Sequence, residues 1–131
     1  MKVVFDTNIL ISGFLTVTGI SQHVFSMALR RHTVILSDYI LQEFEQKLIE
    51  KLGLSENRVR PAVDFLRRRA VIFKVTPNPK IQFSDKKDIP LLSLVEASGA
   101  HYFVTGDKQL LGIKKFGLTL ILSLREALEI L

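Results

Sequence analysis

Four carboxylates stand out by where they fall in the chain: Asp6, Glu43, Asp88 and Asp107. Asp6 closes the short β-branched run Lys2–Phe5, and Asp107 comes two residues after the apolar run 101–105. Both runs read as strands buried on both faces. Taken singly, an Asp after a strand is ordinary turn chemistry. Asp88 says more, because on a helical wheel it shares a stripe with Leu92, Val95 and Gly99, with Leu91 beside it. Its carboxylate therefore lies on the axis of an apolar face at the start of a helix, where it would also serve as a plain N-cap. Glu43 flanks the Ile40, Phe44 and Leu48 stripe, and Glu45 flanks its other side. Periodicity does not separate these two, although Glu43 is nearer the helix start.

Carboxylates from several elements gathered on one edge would repel one another, and burying them uncompensated is costly. A hard divalent cation with oxygen ligands, Mg²⁺ or Mn²⁺, removes that penalty. Such a cation lowers the pKa of a water and stabilises charge on a phosphoryl oxygen. An all-carboxylate site on a basic protein thus points to metal-dependent phosphodiester hydrolysis. An aspartyl-nucleophile phosphatase needs a second Asp two residues after the first, and Asp6-Thr7-Asn8 lacks it. A phosphoacceptor receiver needs an acidic pair at the first strand and a lysine ending the last, and neither is in place.

The elements that position these acids alternate strand and helix. Strands are expected at Lys2–Phe5, 33–36, 71–75, 101–105 and 118–122. Helices are expected at 21–31, at 37–53 capped by Ser37, at 55–69 capped by Ser55, and at 88–98 ending at Gly99. Pro61 sits inside the third of these, near its first turns. Residues 76–84 read as a loop, and Ser123-Leu124-Arg125-Glu126 is a capping box that opens a last short helix. Strands separated by helices imply βαβ units and a five-stranded parallel sheet in an α/β sandwich. Its site is expected beyond the carboxyl ends of the strands.

The chain has 131 residues, 47% of them hydrophobic and 24% charged, which suits one globular domain over 1–131. It has no cysteine, so disulfides, thiolate metal sites and thiol catalysis are excluded. Asp6 interrupts any signal-peptide core, and the longest apolar stretches, 9–15 and 118–124, fall well short of a membrane span. A cytoplasmic protein without membrane contact is expected.

Val3-Val4-Phe5-Asp6-Thr7-Asn8-Ile9-Leu10 resembles the opening of PIN domains. Ser37-Asp38-Tyr39-Ile40-Leu41-Gln42-Glu43 resembles their second motif, and this resemblance selects Glu43 over Glu45. Asp85-Lys86-Lys87-Asp88 with Ala97-Ser98-Gly99-Ala100 resembles the third, and Tyr102-Phe103-Val104-Thr105-Gly106-Asp107-Lys108-Gln109-Leu110-Leu111 the fourth. The resemblance implies an α/β/α sandwich with sheet order 3-2-1-4-5, placing Asp6 and Asp107 on adjacent strands. It implies a Mg²⁺- or Mn²⁺-dependent endoribonuclease acting on single-stranded RNA, with Asp6, Glu43, Asp88 and Asp107 as the acidic quartet. Thr7, Asn8 and Thr105 match positions that support the acids by hydrogen bonds, and Asp85 could replace or assist Asp88. Family members of this size are often toxins of toxin–antitoxin pairs, form homodimers and are silenced by a small antitoxin. The alternatives are a catalytically inactive module that binds RNA or protein, and a nuclease directed at DNA.

The charge is uneven. The whole chain carries 18 basic and 13 acidic residues, a net +5. Between positions 47 and 87 there are 11 basic and 4 acidic residues, leaving 7 and 9 for the remainder. Arg58, Arg60, Arg67, Arg68 and Arg69 surround the polar faces of one helix and are candidates to guide RNA phosphates. The three histidines have no partner at metal-ligand spacing, and the nine phenylalanines read as core.

Overall fold

Val3, Val4 and Phe5 are fully buried, as a strand flanked on both sides by other strands must be. In the computed structural model, which describes residues 1–16, 19–83 and 85–131, this strand β1 (Lys2–Phe5) lies in the middle of the sheet. It pairs in parallel with β2 (Thr33–Ser37) and β4 (Tyr102–Val104). Beyond β2 lies β3 (Val71–Phe73), and beyond β4 lies β6 (Thr119–Leu122), both parallel.

The order is β3-β2-β1-β4-β6-β5. The five parallel strands keep the expected sequence, and the correction is a sixth strand. This is β5 (Lys115–Phe116), antiparallel to β6 at the edge. Gly117, at φ 61, opens the two-residue loop that returns the chain into β6, where a hairpin requires positive φ. Two residues are too few for alternation to reveal a strand.

Seven helices accompany the sheet among the described residues. The first, α1 (Thr7–Leu15), departs from the expectation of one helix at 21–31 after β1. It is followed by α2 (Ile20–Arg31) and, after β2, by α3 (Asp38–Gln46). The Ser37 hydroxyl accepts from Ile40 N at 3.1 Å, the cap expected there. The expected helix to Gly53 instead changes, after Gln46, to a π-helical turn at Lys47–Lys51. Next come α4 (Glu56–Arg69), α5 (Ile89–Ser98), α6 (Lys108–Ile113) and α7 (Leu124–Ile130). Ser55 stands at the start of α4 without a side-chain capping bond, contrary to expectation. Gly99, at φ 63, ends α5, and the Ser123–Glu126 capping box is fully formed. The expected loop 76–84 is irregular over its described part, with Ser84 outside the described residues. No single helix among the described residues is long and apolar enough to cross a membrane.

Phe14 of α1 joins the layers. Its ring centroid lies 5.5 Å from Phe25 of α2, 5.4 Å from Phe44 of α3 and 5.8 Å from Phe65 of α4. These aromatics belong to the core, as the sequence suggested. Gly13 lets α1 and α2 approach, because a Cβ there would meet Phe25 Cβ at 3.4 Å. In a parallel sheet with intervening helices, strand ends and helix starts share one edge. That edge carries the acids.

Candidate active site

Asp6 leaves β1 and caps α1. Its Oδ1 accepts from Asn8 N at 3.4 Å, and its Oδ2 accepts from the Thr105 hydroxyl at 2.8 Å. Thr105 is fully buried, and its hydroxyl oxygen also accepts from Asp107 N at 3.1 Å. One hydroxyl thus ties the acids after β1 and β4 together. Asp107 in turn caps α6, with Oδ1 accepting from Gln109 N at 2.8 Å and Leu110 N at 3.3 Å. Turn chemistry and site chemistry therefore coincide: each cap fixes a carboxylate at the mouth of the sheet. The positive ends of these helices favour anions at the same place.

These two acids line a cleft of about 560 Å³ together with Glu43, Asp85 and Asp88. Glu43 is half-buried and makes an ion pair with Lys47 at 3.9 Å. Glu45 instead faces a separate depression with Asp38 and Arg67. The geometry thus places Glu43, and not Glu45, at the cleft.

Asp88 sits at the N-cap position of α5 but makes no side-chain capping bond. Its Oδ2 is buried with no hydrogen-bond partner. Burial, then the charges of Asp85, Asp107, Asp6 and Glu43, push its carboxyl up to about 6. An acid caged by four others with one buried oxygen unpaired is a poor structural residue. Asp85, by contrast, is exposed, and its Oδ1 accepts from Lys87 N at 3.0 Å, capping the 3₁₀ turn Lys86–Asp88.

The supporting residues divide. Thr105 holds Asp6, as expected. Asn8 reaches Asp6 through its backbone N–H, while its side chain accepts from Lys47 Nζ at 3.1 Å. Thr7 is buried beside the cleft and makes no side-chain hydrogen bond among the described residues. Arg58, Arg60, Arg67, Arg68 and Arg69 are all exposed, and none lines the cleft. The cations that do are Lys47 and Lys87, the two ends of the basic segment. Tyr39 also lines it, and burial with the charges of Glu43 and Asp88 raises its phenol above the ordinary range. The sequence reading missed all three. Only Lys47 carried a signal, its i,i+4 spacing from Glu43.

The donor set is oxygen only, which suits Mg²⁺ or Mn²⁺, and the unpaired Asp88 Oδ2 fits a cation as its missing partner. As the side chains stand, no three acids or histidines among the described residues are grouped tightly enough to grip one ion. Mutual repulsion of ionised carboxylates favours such a spread arrangement. Closure onto an ion requires rotamer changes, for which Glu43 has the longest side chain of the five.

The comparisons with known proteins agree with this architecture. VapBC2 from Rickettsia felis, solved bound to a DNA fragment from its promoter, superposes with a TM-score of 0.68 at 14% identity. The match covers 94% of this chain and 98% of that one. The PIN-domain endonuclease Utp24 superposes with a TM-score of 0.57 at 22% identity, covering 93% and 84%. Among curated proteins, no sequence matches significantly. The family model of the PIN domain matches residues 2–109, a segment that contains all four acids of the expected quartet. By that match the chain belongs to the PIN-domain family.

Proposed function

We propose that residues 1–131 form a single nuclease domain, a metal-dependent endoribonuclease that cuts single-stranded RNA. The observation that carries this reading is the buried, unpartnered Oδ2 of Asp88 amid four further carboxylates. Asp6, Glu43, Asp88 and Asp107 would hold Mg²⁺ or Mn²⁺. When bound, the cation supplies charge neutralisation at a phosphoryl oxygen and acidifies a water. The chain's own residues do the rest. Thr105 locks Asp6 and the backbone of Asp107 in one register. From the rim, the charge of Asp85 adds to the acidic field that raises the Asp88 carboxyl's pKa. Lys47 and Lys87 draw an anionic strand toward an otherwise acidic pit. With the four acids neutralised, 18 basic residues face nine remaining acids. The arginines of α4 extend this field and would contact RNA phosphates away from the cleft.

The toxin role, a cognate antitoxin, a homodimer and a cytoplasmic location belong to the same proposal and rest on the family resemblance. The likeness to VapBC2 supports a search for a protein partner. The second reading is a PIN-like module that binds RNA or protein without cutting, and the spread of the acids favours it.

Incubation of labelled single-stranded RNA and a matched DNA with Mn²⁺ tests the proposal. The expected result is internal cleavage of the RNA, with no 2′,3′-cyclic phosphate in the products because water and not the 2′-hydroxyl attacks. Cleavage of DNA alone would redirect the substrate class, and cleavage of neither would favour the binding module.

A further inference from the structure

We propose that a second depression, between α2 and α4, binds a backbone phosphate of the strand whose scissile bond lies in the carboxylate cleft. The proposal rests on the nuclease reading above. The depression encloses about 550 Å³, and its polar lining comes from Gln22, His23, Ser26, Arg30 and Arg69 beside the Phe65 ring. No acidic residue lines it, and α2 contains none. The Arg69 guanidinium lies 5.5 Å from the Phe65 ring centroid, which orients its plane and leaves N–H groups free. Arg30 Nε donates to the Ser26 carbonyl at 3.4 Å, laying its side chain back along α2. Neither guanidinium has a carboxylate within 4.0 Å among the described residues. Two guanidinium forks without counter-ions suit a phosphate, which they can bind through paired N–H donors.

Successive residues of α2 line the cleft and the depression. Ser21 lines the cleft and is bonded to Ser12 at 3.0 Å. Gln22, the next residue, lines the depression and donates to Ser26 at 3.0 Å. From Ser21 to Arg30 the helix advances about 14 Å, which a strand of a few nucleotides bridges. A strand leaving the carboxylates past Ser21 would pass onto the acid-free stripe of Gln22, Ser26 and Arg30, and so reach two arginines without counter-ions. Lys47 and Lys87 flank the cleft itself.

The test is fluorescence anisotropy of a labelled single-stranded RNA of about twelve nucleotides in EDTA, across a salt series. Arg30→Gln is expected to weaken binding about fivefold near 0.1 M salt and to flatten the logarithmic salt slope by about 0.7. Arg30→Gln with Arg69→Gln is expected to weaken it about 25-fold and flatten the slope by about 1.4. Arg30→Lys should keep the slope, which a merely structural role would not predict. Thermal melting checks that each variant is folded, and Arg30 alone suffices if loss of the Arg69–Phe65 stack perturbs α4. Unchanged affinity and slope would overturn the proposal. So would a loss confined to an oligoglutamate peptide, which would assign the depression to an acidic protein segment. Because binding in EDTA needs no hydrolysis, a protein that fails to cut RNA but shows these losses would overturn only the nuclease reading.

Discussion

Asp88→Asn is expected to melt about 4 °C higher than the wild-type protein in EDTA near pH 7, while losing at least about a hundredfold in RNA cleavage. The two effects have one cause. Burial and four neighbouring carboxylates raise the folded-state pKa of Asp88 to about 6, above the ordinary 3.8. An acid whose pKa is raised by folding destabilises the fold once it ionises. Stability is therefore lost as pH rises from about 4 to 6 and stays low above that window. Solvent at the open side of the cleft screens the effect to about 1 kcal/mol at neutral pH. Asn carries no charge, so the variant keeps that increment, and its advantage should vanish at about pH 4. Mn²⁺ should reverse the ranking, raising the melting temperature of the wild-type protein more than that of the variant. Melting curves over pH with and without Mn²⁺, beside a cleavage assay, check both halves. A variant less stable than wild type near pH 7 in EDTA would show that Asp88 is held by contacts the geometry does not contain.

Thr105→Val is the second large expectation. The hydroxyl is fully buried and serves two partners, donating to Asp6 Oδ2 and accepting from Asp107 N. Valine matches the shape but leaves the Asp107 N–H without that acceptor and Asp6 without its donor. Removing one partner of a buried hydrogen bond costs about 1–3 kcal/mol, and groups that orient metal ligands typically contribute 10–100-fold to activity. Denaturant titration and cleavage kinetics measure the two losses. Thr105→Ser should recover most of the activity, because it restores the hydroxyl. If serine restored nothing, the methyl group and not the hydrogen bonds would be the relevant feature.

What was legible in the sequence follows from how local each signal is. Short β-branched runs bounded by polar residues marked the parallel strands, since strands buried on both faces need continuous apolar sequence. Ser37 and the Ser123–Glu126 box marked helix starts, because capping is decided within four residues. The helix α1 was not legible. Its sequence is apolar almost throughout and includes Gly13, so it shows no 3.6-residue stripe. What makes it a helix is the Asp6 cap and its packing on Phe25, Phe44 and Phe65, and those partners are remote in sequence. The change to π-helix after Gln46 was equally hidden.

At the site, the acids could be nominated from strand ends and from the stripe of α5, yet their roles could not be ranked. Glu43 and Glu45 have equivalent wheel positions, and only the fold turns one to the cleft and the other toward Arg67. Asp85 and Asp88 are separated by a single 3₁₀ turn, and only the hydrogen bonds distinguish the capping acid from the unpaired one. The arginine-rich helix was conspicuous by composition, but tertiary structure places its cations away from the cleft.

The central claim is that the carboxylate cleft cuts RNA with a divalent cation. Its most direct test is labelled single-stranded RNA incubated with Mn²⁺, wild-type protein and Asp6→Asn side by side, with an EDTA control. The account predicts cleavage by the wild-type protein with Mn²⁺ and none above background in EDTA or with the variant. Cleavage that survives both EDTA and Asp6→Asn would contradict it.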